Sequence, residues 1–390
     1  MPHYIWENNM TACTRRHWIA SAAATAASTL VRPFEAFAQA PAAPVAVARC
    51  DSYGSELVPA LAKMFDQIGG LGRLVNGKTV TIKTNLTGGP STRLGYVPAE
   101  LAHWTHPAVV GAACYLMSRA GARRIRVVEC AWCTAEPLEE FILQAGWDPN
   151  DMLGAAKNVE LCNTNWLGKA KEYSRFMTPQ GGHIFKGFLL NHAFEECDVF
   201  CSIAKLKEHA TAGVTLSMKN CFGSAPTTVY GDNIPKDRPG EAPLSGRGPF
   251  HYGNRQPALP AWPENDPKSP RQDTWRVPRI VADIVAARPI HLAIIEGIAS
   301  MTGGEGPWIR GVKPVWPRVM IVGTNPVCTD AAGMAVMGFD PLADRGTAPF
   351  EKCDSTLRLA EELGVGTRDL KRIEVLGTPI QDATFNFRKA

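Results

Sequence analysis

Short apolar runs alternate with stretches of helical spacing along most of this chain. Val45 to Arg49, Thr79 to Lys83, Ile125 to Glu129, Asn158 to Leu161, Asp198 to Ala204, His291 to Glu296, Arg318 to Val322 and Arg372 to Leu376 each read as a strand, rich in Val, Ile and Leu. Between them, Glu56 to Ile68 puts Leu57, Leu61, Met64 and Phe65 on one helical face and stops at Gly69-Gly70. His106-Pro107 opens a helix to Ala120, with proline suited to a first helical turn. Further helices are expected over Pro137 to Ala145, Asn191 to Glu196, Trp275 to Ala287 and Thr356 to Leu363, and a hairpin or excursion over Asn163 to Phe188. Strands separated by helices predict an α/β fold with a mainly parallel, doubly wound (Rossmann-like) sheet.

The alternation lapses between Pro226 and Pro278, where eleven prolines fall among Gly, Asn and Asp. Tyr230, His251, Tyr252, Trp262 and Trp275 argue against a disordered tract, which would be poor in aromatics. Residues 227–274 are therefore expected to form an ordered Pro-rich insertion, a flap over the site.

The amino terminus reads as an address. Thr14-Arg15-Arg16-His17-Trp18-Ile19 has the pattern of a twin-arginine signal; an Ala-rich apolar segment follows, and Ala36-Phe37-Ala38 offers a cleavage site. Residues 1–38 are then the signal and 39–390 the α/β domain. No other segment reaches the roughly 18 unbroken apolar residues of a membrane span. The expectation is a periplasmic or secreted protein, exported folded by the twin-arginine machinery and without a membrane span in its mature form. Folded export also suits a cofactor inserted beforehand.

Net charge is +4, and no Lys/Arg run with interleaved aromatics occurs, so nucleic acid is not an expected partner. Serine-nucleophile elbows, phosphate-binding P-loops and dinucleotide fingerprints are absent. Among 11 cysteines, Cys130-x2-Cys133 has the spacing of a disulfide, a metal pair or plain packing; no second such pair completes a four-cysteine site.

Chemistry gathers where strands end. Lys83, Asn85 and Thr87 follow one strand, and Glu129 ends another. Lys205, Lys207 and His209 follow a third, Glu296 and Glu305 a fourth, Asn325 and Asp330 a fifth. In a parallel sheet these ends share one edge, where such folds bind ligands. The densest stretch, Ile203 to Gly223, adds Thr215, Ser217, Lys219 and Asn220. His209 or His106 can exchange a proton near neutral pH. Lys83, Lys205, Lys207 and Lys219 suit a carboxylate, a phosphate or developing negative charge. Glu129, Glu296 and Asp330 can ligate a metal or act as a base. The structural alternatives are a cap for His106, an ion pair for Glu296 and an ordinary first-turn acid for Asp330.

From about Ala46 to Gly377 the chain resembles the family of domain of unknown function 362. The resemblance rests on Ile82-Lys83-Thr84-Asn85-Leu86, His106-Pro107, Lys205 to His209 with Thr215 to Gly223, Glu296-Gly297 with Gly306-Pro307, and Asn325 to Asp330. Some members carry ferredoxin-type iron–sulfur clusters, whose cysteine run is missing here. A more distant likeness is to the nickel-pincer lactate racemase group, echoed by His209, Ala212-Gly213, Thr215, Lys219 and Asn85-Leu86-Thr87, but without that group's Asp and Arg. It implies a metal ion or metal-containing cofactor. The reading is an exported isomerase, racemase or lyase moving a proton on a small anionic substrate, with His209 as carrier and Lys83 and Lys219 stabilising the anion. A periplasmic binding or carrier protein is the first alternative, an iron–sulfur or thiol redox protein the second.

Overall fold

The computed structural model describes residues 40–132, 134–232, 234 and 246–390. The expected export signal, Cys133 and part of the Pro-rich insertion lie outside these residues.

The strands are β1 (Val45–Arg49), β2 (Thr79–Lys83), β3 (Arg124–Glu129), β4 (Val159–Asn163), β5 (Ser174–Met177), β6 (Gly187–Leu190), β7 (Val199–Lys205), β8 (Glu208–His209), β9 (Gly213–Val214), β10 (Leu292–Gly297), β11 (Ser300–Thr302), β12 (Lys313–Val315), β13 (Val319–Gly323) and β14 (Val375–Gly377). The helices used below are α1 (Leu57–Gln67), α2 (Pro107–Arg119), α3 (Leu138–Gln144), α4 (Leu216–Asn220), α5 (Gly248–His251), α6 (Asp273–Ala287), α7 (Pro326–Val336) and α8 (Thr356–Glu362). Eight strands form one sheet in the order β14-β1-β13-β10-β7-β2-β3-β4. The expected excursion is the antiparallel hairpin β5–β6.

Helices cover both faces, so the central strands are apolar on both sides. Along β10, Leu292 and Ile294 join the core under α1 and α2, while Ala293 and Ile295 join the core under α6, α7 and α8. This period-two division makes a doubly wound sheet of the alternating sequence.

One strand departs from expectation. The ladders β10–β7, β7–β2, β2–β3, β3–β4 and β1–β14 are parallel, but β13 runs antiparallel to both β1 and β10. The link from β10 to β13 holds the small antiparallel ladder β11–β12 and no helix. Without a crossover the chain turns back on the edge it has reached. The polar end of β13 therefore lies on the opposite edge, and Asn325 does not join the other four strand ends. There it caps α7, its Oδ1 accepting from Val327 N at 3.0 Å and Cys328 N at 3.1 Å.

Candidate active site

Past the carboxyl ends of β2, β3 and β7 lies a cavity of about 720 Å³. Lys83, Asn85, Thr87, Glu129, His209, Lys219, Asn220 and Glu305, all expected at the site, line it. The Pro-rich insertion adds Arg247, His251 and Tyr252 to the wall. Trp132 and Trp308 complete the rim.

Part of this wall is saturated. Lys83 Nζ lies 2.5 Å from Glu129 Oε1 and donates to Thr84 O at 2.7 Å and Asn220 Oδ1 at 3.3 Å, which occupies its three protons. Glu129 also accepts from Leu86 N at 2.9 Å and Cys130 N at 3.0 Å. Asn220 returns its amide to Lys83 O and Ile203 O, tying the tips of β2 and β7 together. This buried network shapes the 84–87 loop and leaves Lys83 no free donor. Its expected role as the anion's partner is corrected accordingly.

Lys219 is the contrary case. Asp330 holds α4 in place by accepting from Ser217 N at 2.8 Å, Ser217 Oγ at 2.6 Å and Met218 N at 3.0 Å. Leu216, at φ 45, turns the chain through the left-handed region just before. The helix then presents Lys219 to the cavity, its Nζ 4.2 Å from the centre of the Phe222 ring and without a hydrogen bond or ion pair among the described residues. Burial brings its pKa down to about 7, with Arg247 and Lys83 adding to the effect and Glu305 resisting.

His209 stands beside it. Its Nδ1 accepts from Thr211 N at 3.2 Å and lies 3.7 Å from Glu305 Oε2. Burial, reinforced by Lys219, pushes the ring well below its usual range despite Glu305, so it is neutral near pH 7. A ring nitrogen that accepts carries no proton, so the neutral ring keeps its proton on Nε2. The expected proton carrier is thus arranged as a hydrogen-bond donor. Burial opposes the charge of Glu305, but the hydrogen bonds from Ala210 N and the Trp308 indole N–H outweigh it and hold the carboxyl below its usual range.

Three wall residues had no motif to announce them. Arg247 gives Nε to Ala225 O at 2.9 Å and Nη2 to Cys130 Sγ at 3.2 Å. His251 sits edge-on to Phe222 at 5.3 Å, and burial, with Lys219 and Arg247, lowers its pKa to about 3. Trp132 packs on Gly89. Asn85, which was expected, is 7% exposed and leaves Oδ1 without a partner.

Other expected site residues go elsewhere. Lys205 and Glu296 face each other across the β7–β10 ladder and pair at 2.5 Å, both fully buried. Lys207 is also buried, donating to His103 O at 2.6 Å and Glu305 O at 2.9 Å, which anchors the Glu305 loop. His106 caps α2 by accepting from Ala108 N at 3.1 Å and stacks on Tyr53 at 3.6 Å. Thr215 and Ser217 serve the α4 turn, Thr215 O accepting from Lys219 N at 3.1 Å. Glu129, Glu296 and Asp330 have separate partners and do not converge; among the described residues no three His, Cys, Asp or Glu side chains gather for a metal. That ligand set is corrected. Cys130 and Cys201 are free and buried; the redox pair expected for Cys130 rests on Cys133, outside the described residues.

No curated protein matches the chain. A crystal structure of a Thermotoga maritima protein from a structural genomics consortium is 15% identical over 68% of this chain, with a TM-score of 0.36; this chain spans 55% of its length. The model of the family described as domain of unknown function (DUF362) matches residues 80–335. The chain belongs to that DUF362 family.

Proposed function

We propose that this chain is an exported enzyme that moves a proton on a small anionic substrate, as an isomerase, racemase or lyase does. One observation carries the reading: Lys219 Nζ stands in a built cavity with no partner among the described residues, while Lys83 in the same wall, and Lys205 and Lys207 outside it, are all occupied. An amine with a pKa of about 7 exchanges its proton readily near neutrality, so Lys219 takes the carrier's role. The Nε2–H of His209 donates to negative charge as it develops on the substrate, and Arg247 and Asn85 orient its anionic group. The Lys83–Glu129 network keeps the 84–87 loop in position.

The test is deuterium uptake from heavy water into a panel of small carboxylates, followed by NMR. Wild-type protein should label the acidic carbon of at least one, and Lys219→Met should not. Tight binding of a panel member without label uptake would overturn the enzyme reading in favour of a carrier protein. Export is tested by fusing residues 1–38 to a reporter that works only after folded export. Replacing both arginines of the signal, Arg15→Lys together with Arg16→Lys, should retain the reporter inside.

A further inference from the structure

The cavity has two unlike halves. Its floor holds Lys219, Arg247 and Asn85, and its rim exposes large aromatic rings: Trp132 is 44% exposed, Trp308 49% and Tyr252 52%. Both indoles sit on built seats. A Cβ on Gly88 would lie 2.7 Å from the Trp308 ring, and one on Gly89 would lie 3.3 Å from the Trp132 ring. Gly88 has φ +85, so this loop is shaped for glycine twice over. Successive Cα atoms are about 3.8 Å apart, which brings the two indoles to neighbouring points of one loop. Trp308 is further fixed by its Nε1, which donates to Glu305 Oε1 at 2.9 Å, and Glu305 Oε2 lies 3.7 Å from His209. The aromatic rim is thus coupled to the polar floor.

A cavity of about 720 Å³ lies within the range of roughly 300–1,000 Å³ that holds ligands much larger than a three-carbon acid. Its charges nearly balance, with Lys83 set against Glu129 and with Lys219 and Arg247 set against Glu305 and Asp273. Such a wall suits a monoanion better than a phosphate dianion. Exposed indoles beside it suit a flat ring, which gains stacking contacts beyond simple burial.

We infer that the substrate is an aromatic carboxylic acid, its carboxylate held on the floor near Lys219 and Arg247 and its ring stacked on the Trp132 and Trp308 rim. This rests on the anion-binding reading of the same cavity and adds the substrate's class.

Calorimetry and tryptophan fluorescence with naphthoate, cyclohexylacetate and naphthyl phosphate test it on the whole protein just below neutral pH. Naphthoate should bind about tenfold tighter than cyclohexylacetate and quench the indoles. Trp132→Ala and Trp308→Ala should each bring that ratio towards one, and Trp308→Phe should preserve it. Equal binding of the two acids, tighter binding of naphthyl phosphate, or a ratio unmoved by the tryptophan changes overturns the inference while leaving the anion site intact. If neither acid binds, the anion-site reading falls and this inference with it.

Discussion

Lys205 and Lys219 leave the same strand-and-helix segment fourteen residues apart, yet they are opposite kinds of lysine. Lys205 is the last rung of a parallel ladder, buried against Glu296 at 2.5 Å and Glu100 O at 2.8 Å. Lys219 reaches a cavity and meets only an aromatic face among the described residues. Position near a strand end does not separate them. Pairing does: a buried lysine held by a carboxylate and a carbonyl holds the protein together, and one with no such partner is available to a ligand.

Stability should divide the two most sharply. Lys205→Met strands the Glu296 carboxylate in the core, and breaking a buried pair in this way costs about 3–5 kcal/mol. Urea unfolding should record that loss, and adding Glu296→Gln should recover part of it. Lys219→Met removes a charge that burial already disfavours, so its unfolding midpoint should hold or rise. A comparable loss in both variants would erase the contrast.

Binding should reverse the order. Hydrogen bonds to a charged group contribute about 1.5–3 kcal/mol, so Lys219→Met should weaken binding of an aryl carboxylate by on the order of tenfold to a hundredfold. The pH dependence sharpens this. Lys219 binds an anion in its protonated form and, in the free protein, loses that proton as pH rises through about 7. Affinity should therefore fall above neutrality in the wild type and stay level in Lys219→Arg, whose guanidinium remains charged. His209 does not reproduce this profile, because it is neutral throughout that range.

Much of this contrast could be read without coordinates, and the parts that could not have physical causes. Period-two alternation and helix stops were enough for the doubly wound sheet, because both faces of each strand enter a core. The direction of β13 needed its pairing, although the helix-free link of residues 298–318 carried the relevant signal: a parallel return needs a crossover. Lys83, Lys219, Asn85 and Glu305 were legible as cavity residues. Which lysine was saturated was not, since Glu129 and Asn220 reach Lys83 from elements 46 and 137 residues away. Arg247 and Trp132 had no motif at all; only the folded insertion and the seat on Gly89 bring them to the wall.

The smallest expected effect tests the edge assignment. Asn325 follows a strand just as Asn85 does, but β13 runs the other way, so Asn325 faces the opposite edge and spends its Oδ1 on Val327 N and Cys328 N. Losing such a cap costs about 1 kcal/mol. Asn325→Ala should lower the unfolding free energy by that amount and leave aryl carboxylate affinity where it was. Asn85→Ala should do the reverse, because the Asn85 amide N–H2 lines the cavity with no hydrogen-bond acceptor among the described residues, so its loss takes nothing from the free protein and a donor from the carboxylate in the complex. If Asn325→Ala weakened binding as much as Asn85→Ala, the two edges would have to communicate through α7, and Asp330, which holds α4 from that helix, would be the residue through which they do so.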